Sequence, residues 1–92
     1  MENKFKYSLN QQVWFQYEGK NYTSTIFMRG AMERFYPANA ENPQDEVVFY
    51  NCYAVKFRVE KIEVQLVFKE SEFGRKVFAD KGEFVDKMVV IN

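Results

Sequence analysis

A mainly β, antiparallel domain with one short C-terminal helix is the fold this chain predicts, and three observations predict it. Val, Ile, Phe, Tyr, Trp and Thr supply 33 residues whereas Ala and Leu supply 7, and branched and aromatic side chains pack best on a pleated surface. Apolar residues alternate with a period of two through much of the chain, which is the strand signal. A length of 92 residues leaves room for one domain, spanning residues 1–92, with a modest core.

Residues 12–17 read as the first strand, with Val13, Phe15 and Tyr17 on one face and Trp14 and Gln16 on the other. Glu18, Gly19, Lys20 and Asn21 then turn the chain, Gly19 taking positive φ at little cost. The return strand spans 22–28, where Tyr22, Ser24, Ile26 and Met28 share a side. From 29 to 45 the alternation stops, and Gly30, Pro37, Asn39, Asn42 and Pro43 punctuate the chain, so a long loop is expected there. Loops of that length are uncommon in compact domains and are often functional or mobile.

The strongest pattern runs over 46–68. Val47, Phe49, Tyr53, Val55, Phe57 and Val59 occupy odd positions, then Ile62, Val64, Leu66 and Phe68 occupy even ones. The parity flips at Glu60-Lys61, which predicts a tight hairpin with Val59 opposite Ile62, Phe57 opposite Val64, Val55 opposite Leu66 and Tyr53 opposite Phe68. The same register sets Arg58 opposite Glu63 on the other face. Even positions Val48, Tyr50, Cys52 and Ala54 are apolar as well, so the first half of this strand is expected to be covered on both sides, by a terminal segment or by another molecule.

The tail supplies a candidate cover. Asp80 followed by Glu83 has the spacing of a helix N-cap and its capping acid, and Phe84, Val85 and Met88 make an apolar stripe over about two turns. Gly82 weakens such a helix, which therefore depends on docking. Residues 88–91 fit either a continued helix or an edge strand.

Charge and cysteine usage narrow the classes. Thirteen bases balance thirteen acids, so no global field draws the chain to nucleic acid or anionic lipid. The longest apolar runs, such as 88–91, span only four residues, far short of a membrane helix. The first residues lack the apolar region of a secretory signal, and a single cysteine forms no internal disulfide, so a cytoplasmic, reducing compartment is expected.

Val13-Trp14 followed by Gly19-Lys20 gives the motif V-W-x-x-x-x-G-K, leading to a strand that contains Ile26. With Tyr53-Ala54-Val55 and the acidic, phenylalanine-containing stretch over 77–84, the chain resembles the small SH3-like β-barrel proteins of phages and mobile elements. It departs from them in the 29–45 segment and in Gly82. The resemblance implies an SH3-like antiparallel barrel of about five strands, and a binding or accessory module rather than an enzyme.

The residue types for common catalysis are missing. Activating Cys52 as a nucleophile needs a base, and the chain has no histidine. One cysteine cannot build a zinc site. Glu41, Asp45 and Glu46 cluster without the context that raises a catalytic pKa or the ligand pattern of a calcium loop. Gly74-Arg75-Lys76 lacks the upstream glycine and following Ser/Thr of a phosphate loop. No catalytic residue, metal site or cofactor is therefore assigned.

What remains is adhesion. A protein partner or self-association is expected through Trp14, Tyr17, Phe35, Tyr36, Val48 and Tyr50. The alternative is a nucleic-acid-binding barrel, or an inhibitor of a host nucleic-acid enzyme, in which ring faces stack bases beside Lys56, Arg58, Lys69, Arg75 and Lys76. Against that alternative, Glu60, Glu63, Glu70 and Glu72 interleave with the bases. Residues 35–54 sum to −3, between two mildly basic regions, which suits a basic partner.

Overall fold

The computed structural model describes residues 4–88. Strands β1 (Gln12–Tyr17), β2 (Lys20–Tyr36), β3 (Glu46–Val59), β4 (Ile62–Lys69) and β5 (Val77–Phe78) form one sheet in the order β4-β3-β2-β1-β5. A 3-10 turn, Glu70–Glu72, links β4 to β5, and helix α1, Lys81–Met88, follows. All four strand pairings are antiparallel. The fold is mainly β, as the alternation predicts, but the sheet is open, with β4 and β5 as its edges.

The sheet nevertheless curls tightly. Phe15 on β1 and Phe68 on β4 are three strand spacings apart, about 14 Å in a flat sheet, yet their rings lie 5.6 Å from each other. Curling encloses an inner face on which Val13, Phe15, Ile26, Tyr53, Val55, Phe57, Phe68 and Val77 are buried. Tyr17, Tyr22 and Phe57 close one end, with ring centroids 4.8 to 6.4 Å apart. At the other end Phe5, Tyr7 and Phe73 gather round Tyr53, Tyr7 stacking on Phe73 at 3.9 Å.

The β3–β4 hairpin has the predicted register throughout: Val59 pairs with Ile62, Phe57 with Val64, Val55 with Leu66, Tyr53 with Phe68 and Arg58 with Glu63. Its two-residue turn puts Glu60 at φ 60°, an uncommon position for a residue with a β-carbon. The β1–β2 turn is also two residues, shorter than the expected four: Tyr17 pairs with Lys20, and Glu18 and Gly19 take φ 48° and 78°. Positive φ at both positions matches the twist that a two-residue hairpin needs.

Two expectations for β2 are corrected. The expected loop over 29–45 is strand as far as Tyr36, which pairs with Glu46, so only 37–45 connect β2 to β3. Inside that connection Asn39 Oδ1 accepts the Glu41 and Asn42 amides at 2.8 and 2.9 Å, and Asp45 Oδ1 accepts the Ala38 amide at 2.8 Å. Met28, placed by period on the side of Ile26, is turned to the opposite face by a β-bulge between Ile26 and Met28.

Helix α1 starts as predicted, with Asp80 Oδ2 accepting the Glu83 amide at 3.0 Å. It does not cover the first half of β3. Phe84 packs on Phe78 at 5.7 Å and the Gln16 side-chain amide donates to the Met88 carbonyl at 3.0 Å, which lays α1 over β1 and β5. The alternative of helix or strand for 88–91 lies outside the described residues beyond helical Met88.

Candidate interaction surface

Beyond the curled body, β2 and β3 continue as a two-stranded arm with pairs running from Gly30 opposite Cys52 out to Tyr36 opposite Glu46. The arm makes the molecule 46 Å long and gives a radius of gyration of 15.8 Å, against about 12 Å for a compact chain of this length. Both arm faces carry apolar side chains. Ala31, Phe35, Val47 and Phe49 continue the inner face past the end of the core, and Phe35 and Phe49 are 58% and 69% exposed. Met32, Tyr36, Val48 and Tyr50 lie on the outer face. Val47 and Phe49, placed among the core-facing positions by period, are thus exposed.

The expected two-sided cover of β3 divides. Cys52, Tyr53, Ala54 and Val55 are buried on both faces, whereas Val47 and Phe49 are exposed and Val48 and Tyr50 are half-buried. On the outer face Met28, Met32 and Val67 flank Cys52 and Ala54 around a shallow groove of about 200 Å³. Lys56 Nζ stands 4.5 Å from the Phe27 ring centre and Lys69 Nζ 5.1 Å from that of Tyr50, framing this face with cations. On the inner side, where arm meets body, a wider cleft of about 640 Å³ is lined by Glu33, Phe49, Asn51, Glu70 and Ser71 among others.

The arm root is held by a polar network. The Tyr53 hydroxyl accepts the Lys6 and Tyr7 amides at 3.0 and 3.3 Å and donates to Glu70 Oε1 at 3.2 Å. Asn51 donates to Glu70 Oε2 at 2.9 Å and to the Lys4 carbonyl at 2.8 Å. Burial, and then the neighbouring Glu70 charge, raise the Tyr53 hydroxyl above the ordinary phenol value against the two amide hydrogen bonds. Burial likewise raises the Cys52 thiol. That opposes the thiolate a nucleophile requires, and the thiol instead contacts the Met32 sulfur at 3.5 Å.

The expected contact residues separate into groups. Phe35 and Tyr36 stand at the arm tip, and Val48 and Tyr50 on its outer face. Trp14 lies half-buried on the face that α1 covers, and Tyr17 packs into the core rim against Tyr22 and Phe57. Neither belongs to the exposed surface. Of the bases, Lys56, Arg58 and Lys69 share the outer face by register. Arg75 and Lys76 lie in the connection to β5, where Lys76 pairs with Glu72 at 3.2 Å.

Sequence reasoning missed Phe49 as a surface residue. The signal lay in its partner, since the strand opposite offers charged Glu33 at that register. Among the described residues no cluster of three or more metal-ligating groups occurs, and no helix is long and apolar enough to cross a membrane. Compared with protein-family models, curated proteins and solved structures, the chain finds no match.

Proposed function

We propose that this chain is a non-enzymatic protein-binding module on a small SH3-like sheet, and that the β2–β3 arm is the part it presents. The observation that carries this reading is the exposure of Phe35 and Phe49 on a ribbon that has no third layer beneath it among the described residues. Contiguous apolar surface of a few hundred Å² marks an interface more often than a solvated face. An antiparallel meander in which β5 returns to pair with β1 supports the SH3-like assignment, together with the V-W-x-x-x-x-G-K motif.

Charge favours protein over nucleic acid as the partner of the arm. Residues 31–50 carry Glu33, Glu41, Asp45 and Glu46 against Arg34 alone, a net −3. A phosphate backbone would be repelled there. The test uses the chain as bait in lysate of its native host, with and without nuclease, beside the double variant Phe35→Ser/Phe49→Ser. Captured proteins should survive nuclease and be lost with the variant. Capture that vanishes with nuclease, or a variant that retains the same proteins, overturns the reading.

A further inference from the structure

We propose that a second copy of this chain covers the outer sheet face, the two copies being related by a two-fold axis that passes between the faces beside Gly30 and Cys52. The inference rests on the binding-module reading but concerns the opposite face from Phe35 and Phe49, and it names the occupant.

The outer face of β3 has a directional order. From arm tip to body it presents Glu46, then Val48, Tyr50, Cys52 and Ala54, then Lys56 and Arg58. An acid, an apolar stretch and two bases follow one another, and Cys52 lies midway between Glu46 and Arg58. A two-fold axis perpendicular to β3 at Cys52 therefore sets Glu46 of one copy against Arg58 of the other, twice. It also sets Tyr50 against Ala54 and Val48 against Lys56, on β2 Met32 against Met28, and on β4 the two Lys69 side chains against each other at the axis, each drawn back to 5.1 Å from its own Tyr50 ring. The Glu46–Arg58 and apolar pairs give the self-complementarity that an isologous interface requires. The charge division of the whole chain has the same sense: the arm carries −3, while residues 1–30 and 51–92 together hold twelve bases and nine acids.

Gly30 supplies an independent observation. It sits inside a strand, opposite Cys52, without positive φ and, among the described residues, with nothing within 4 Å of where a β-carbon would stand. The bulge ends at Met28, so neither backbone conformation nor crowding within the chain demands glycine at this position. A strand glycine costs stability and often marks the close approach of another backbone. Here it opens the floor of the groove between Met28 and Met32, at the point where the axis passes.

The area fits a dimer. Phe27, Met28, Met32, Tyr36 and Val67 on this face are 37% to 60% exposed. At roughly 150 to 200 Å² for each such side chain, they present about 400 Å² of apolar surface per copy. Two copies then bury about 800 Å², close to the apolar share of a standard interface of about 1,600 Å².

Sedimentation velocity over a concentration series of the purified protein tests the proposal. The wild type should show a concentration-dependent dimer. Gly30→Val should weaken it at least about tenfold while leaving the thermal midpoint of dilute protein unchanged or higher, since valine suits a strand better than glycine. Glu46→Arg and Arg58→Glu, both exposed positions, should each weaken self-association at least about fivefold by facing like charges across the axis. Mixing those two variants in equal amounts should restore the dimer, because both charge pairs are then rebuilt between unlike copies. A wild type that stays monomeric throughout, a Gly30→Val chain that dimerises as the wild type does, or a mixture no tighter than either single variant overturns the proposal. None of these outcomes affects capture of a foreign protein through Phe35 and Phe49.

Discussion

Replacing Tyr53 by Phe isolates what the polar network at the arm root contributes, since the ring stays and only the hydroxyl leaves. Three hydrogen bonds are lost: from the Lys6 amide, from the Tyr7 amide and to Glu70. The losses are unequal. The Lys6 amide keeps Glu70 Oε1 at 3.1 Å, and Glu70 keeps Asn51, so the Tyr7 amide alone loses its partner. A lost hydrogen bond costs about 1 kcal/mol, and a donor left unsatisfied costs about 1 to 3. Half-buried Tyr7 admits some water, which sets the expectation at about 1 to 2 kcal/mol. For a domain of this size that lowers the thermal midpoint by roughly 5 to 12 °C. Calorimetry on wild type and variant measures the drop, and amide exchange at Lys6 and Tyr7 reports whether the N-terminal segment has loosened. The raised Tyr53 hydroxyl adds a pH signature: its stabilisation is complete below the ordinary phenol value and is lost as pH rises through the higher folded value. The variant should lack that alkaline component. A midpoint change below about 2 °C, with an alkaline profile equal to the wild type's, would refute the assignment of this network as the clamp.

Other perturbations separate local conformation, charge and arm stability. Glu60→Gly should raise stability by roughly 0.5 to 1 kcal/mol in chemical denaturation, because relief of the positive-φ cost outweighs the added chain entropy. An unchanged or lower midpoint would mean that the turn is unstrained. Burial alone would raise the Glu72 carboxyl, but the Lys69 amide at 2.7 Å and the Lys76 ammonium outweigh it and hold the group below the ordinary carboxylate value. Its stabilisation is therefore present at neutral pH and disappears as pH falls through the depressed value. Glu72→Gln should accordingly be destabilising at pH 7 and indistinguishable from wild type in acid; a gap of constant size across that range would be evidence against the mechanism. In dilute protein, amides of Ala31 to Tyr36 should exchange orders of magnitude faster than those of Val55 and Phe57, and comparable protection would show that the arm has a cover within the chain.

The parts legible in the sequence are those where one face is buried and the other is not. Over residues 53–68 the core imposes a period of two, and a one-residue slip would expose Val55, Phe57, Val64 and Leu66, so the register could be read directly. The arm was illegible for the same reason inverted. Arg29, Gly30, Ala31, Met32, Glu33 and Arg34 form strand without any apolar alternation, because neither face of the arm meets a core. Long-range cross-strand pairing, rather than local pattern, makes them a strand. A bulge resets parity at Met28, and period counting cannot anticipate that. The candidate surface was half visible: the apolar even positions from Val48 to Ala54 marked the outer face of β3, but α1 lies over β1 and β5 and leaves Val48 and Tyr50 only half-buried.

The molecule divides into a body that holds the buried cluster and an arm that holds none of it. Val13, Phe15, Ile26, Tyr53, Val55, Phe57, Phe68 and Val77 all lie in the body, and an isolated two-stranded ribbon is marginal in water. Large side chains on such a ribbon contribute little to folding stability, and the proposed association would account for their exposure. The consequence is a separation of effects: substitutions at Phe35, Tyr36 or Phe49 should leave the body's unfolding midpoint nearly unchanged while altering what the chain adheres to. Substitutions at Phe15 or Phe57 should lower the midpoint and alter adhesion only through loss of fold. Gly30 and Cys52 sit on the boundary between the two regimes, where β2 and β3 leave the body. A single side chain added at Gly30 should therefore favour the strand and oppose the proposed contact at once.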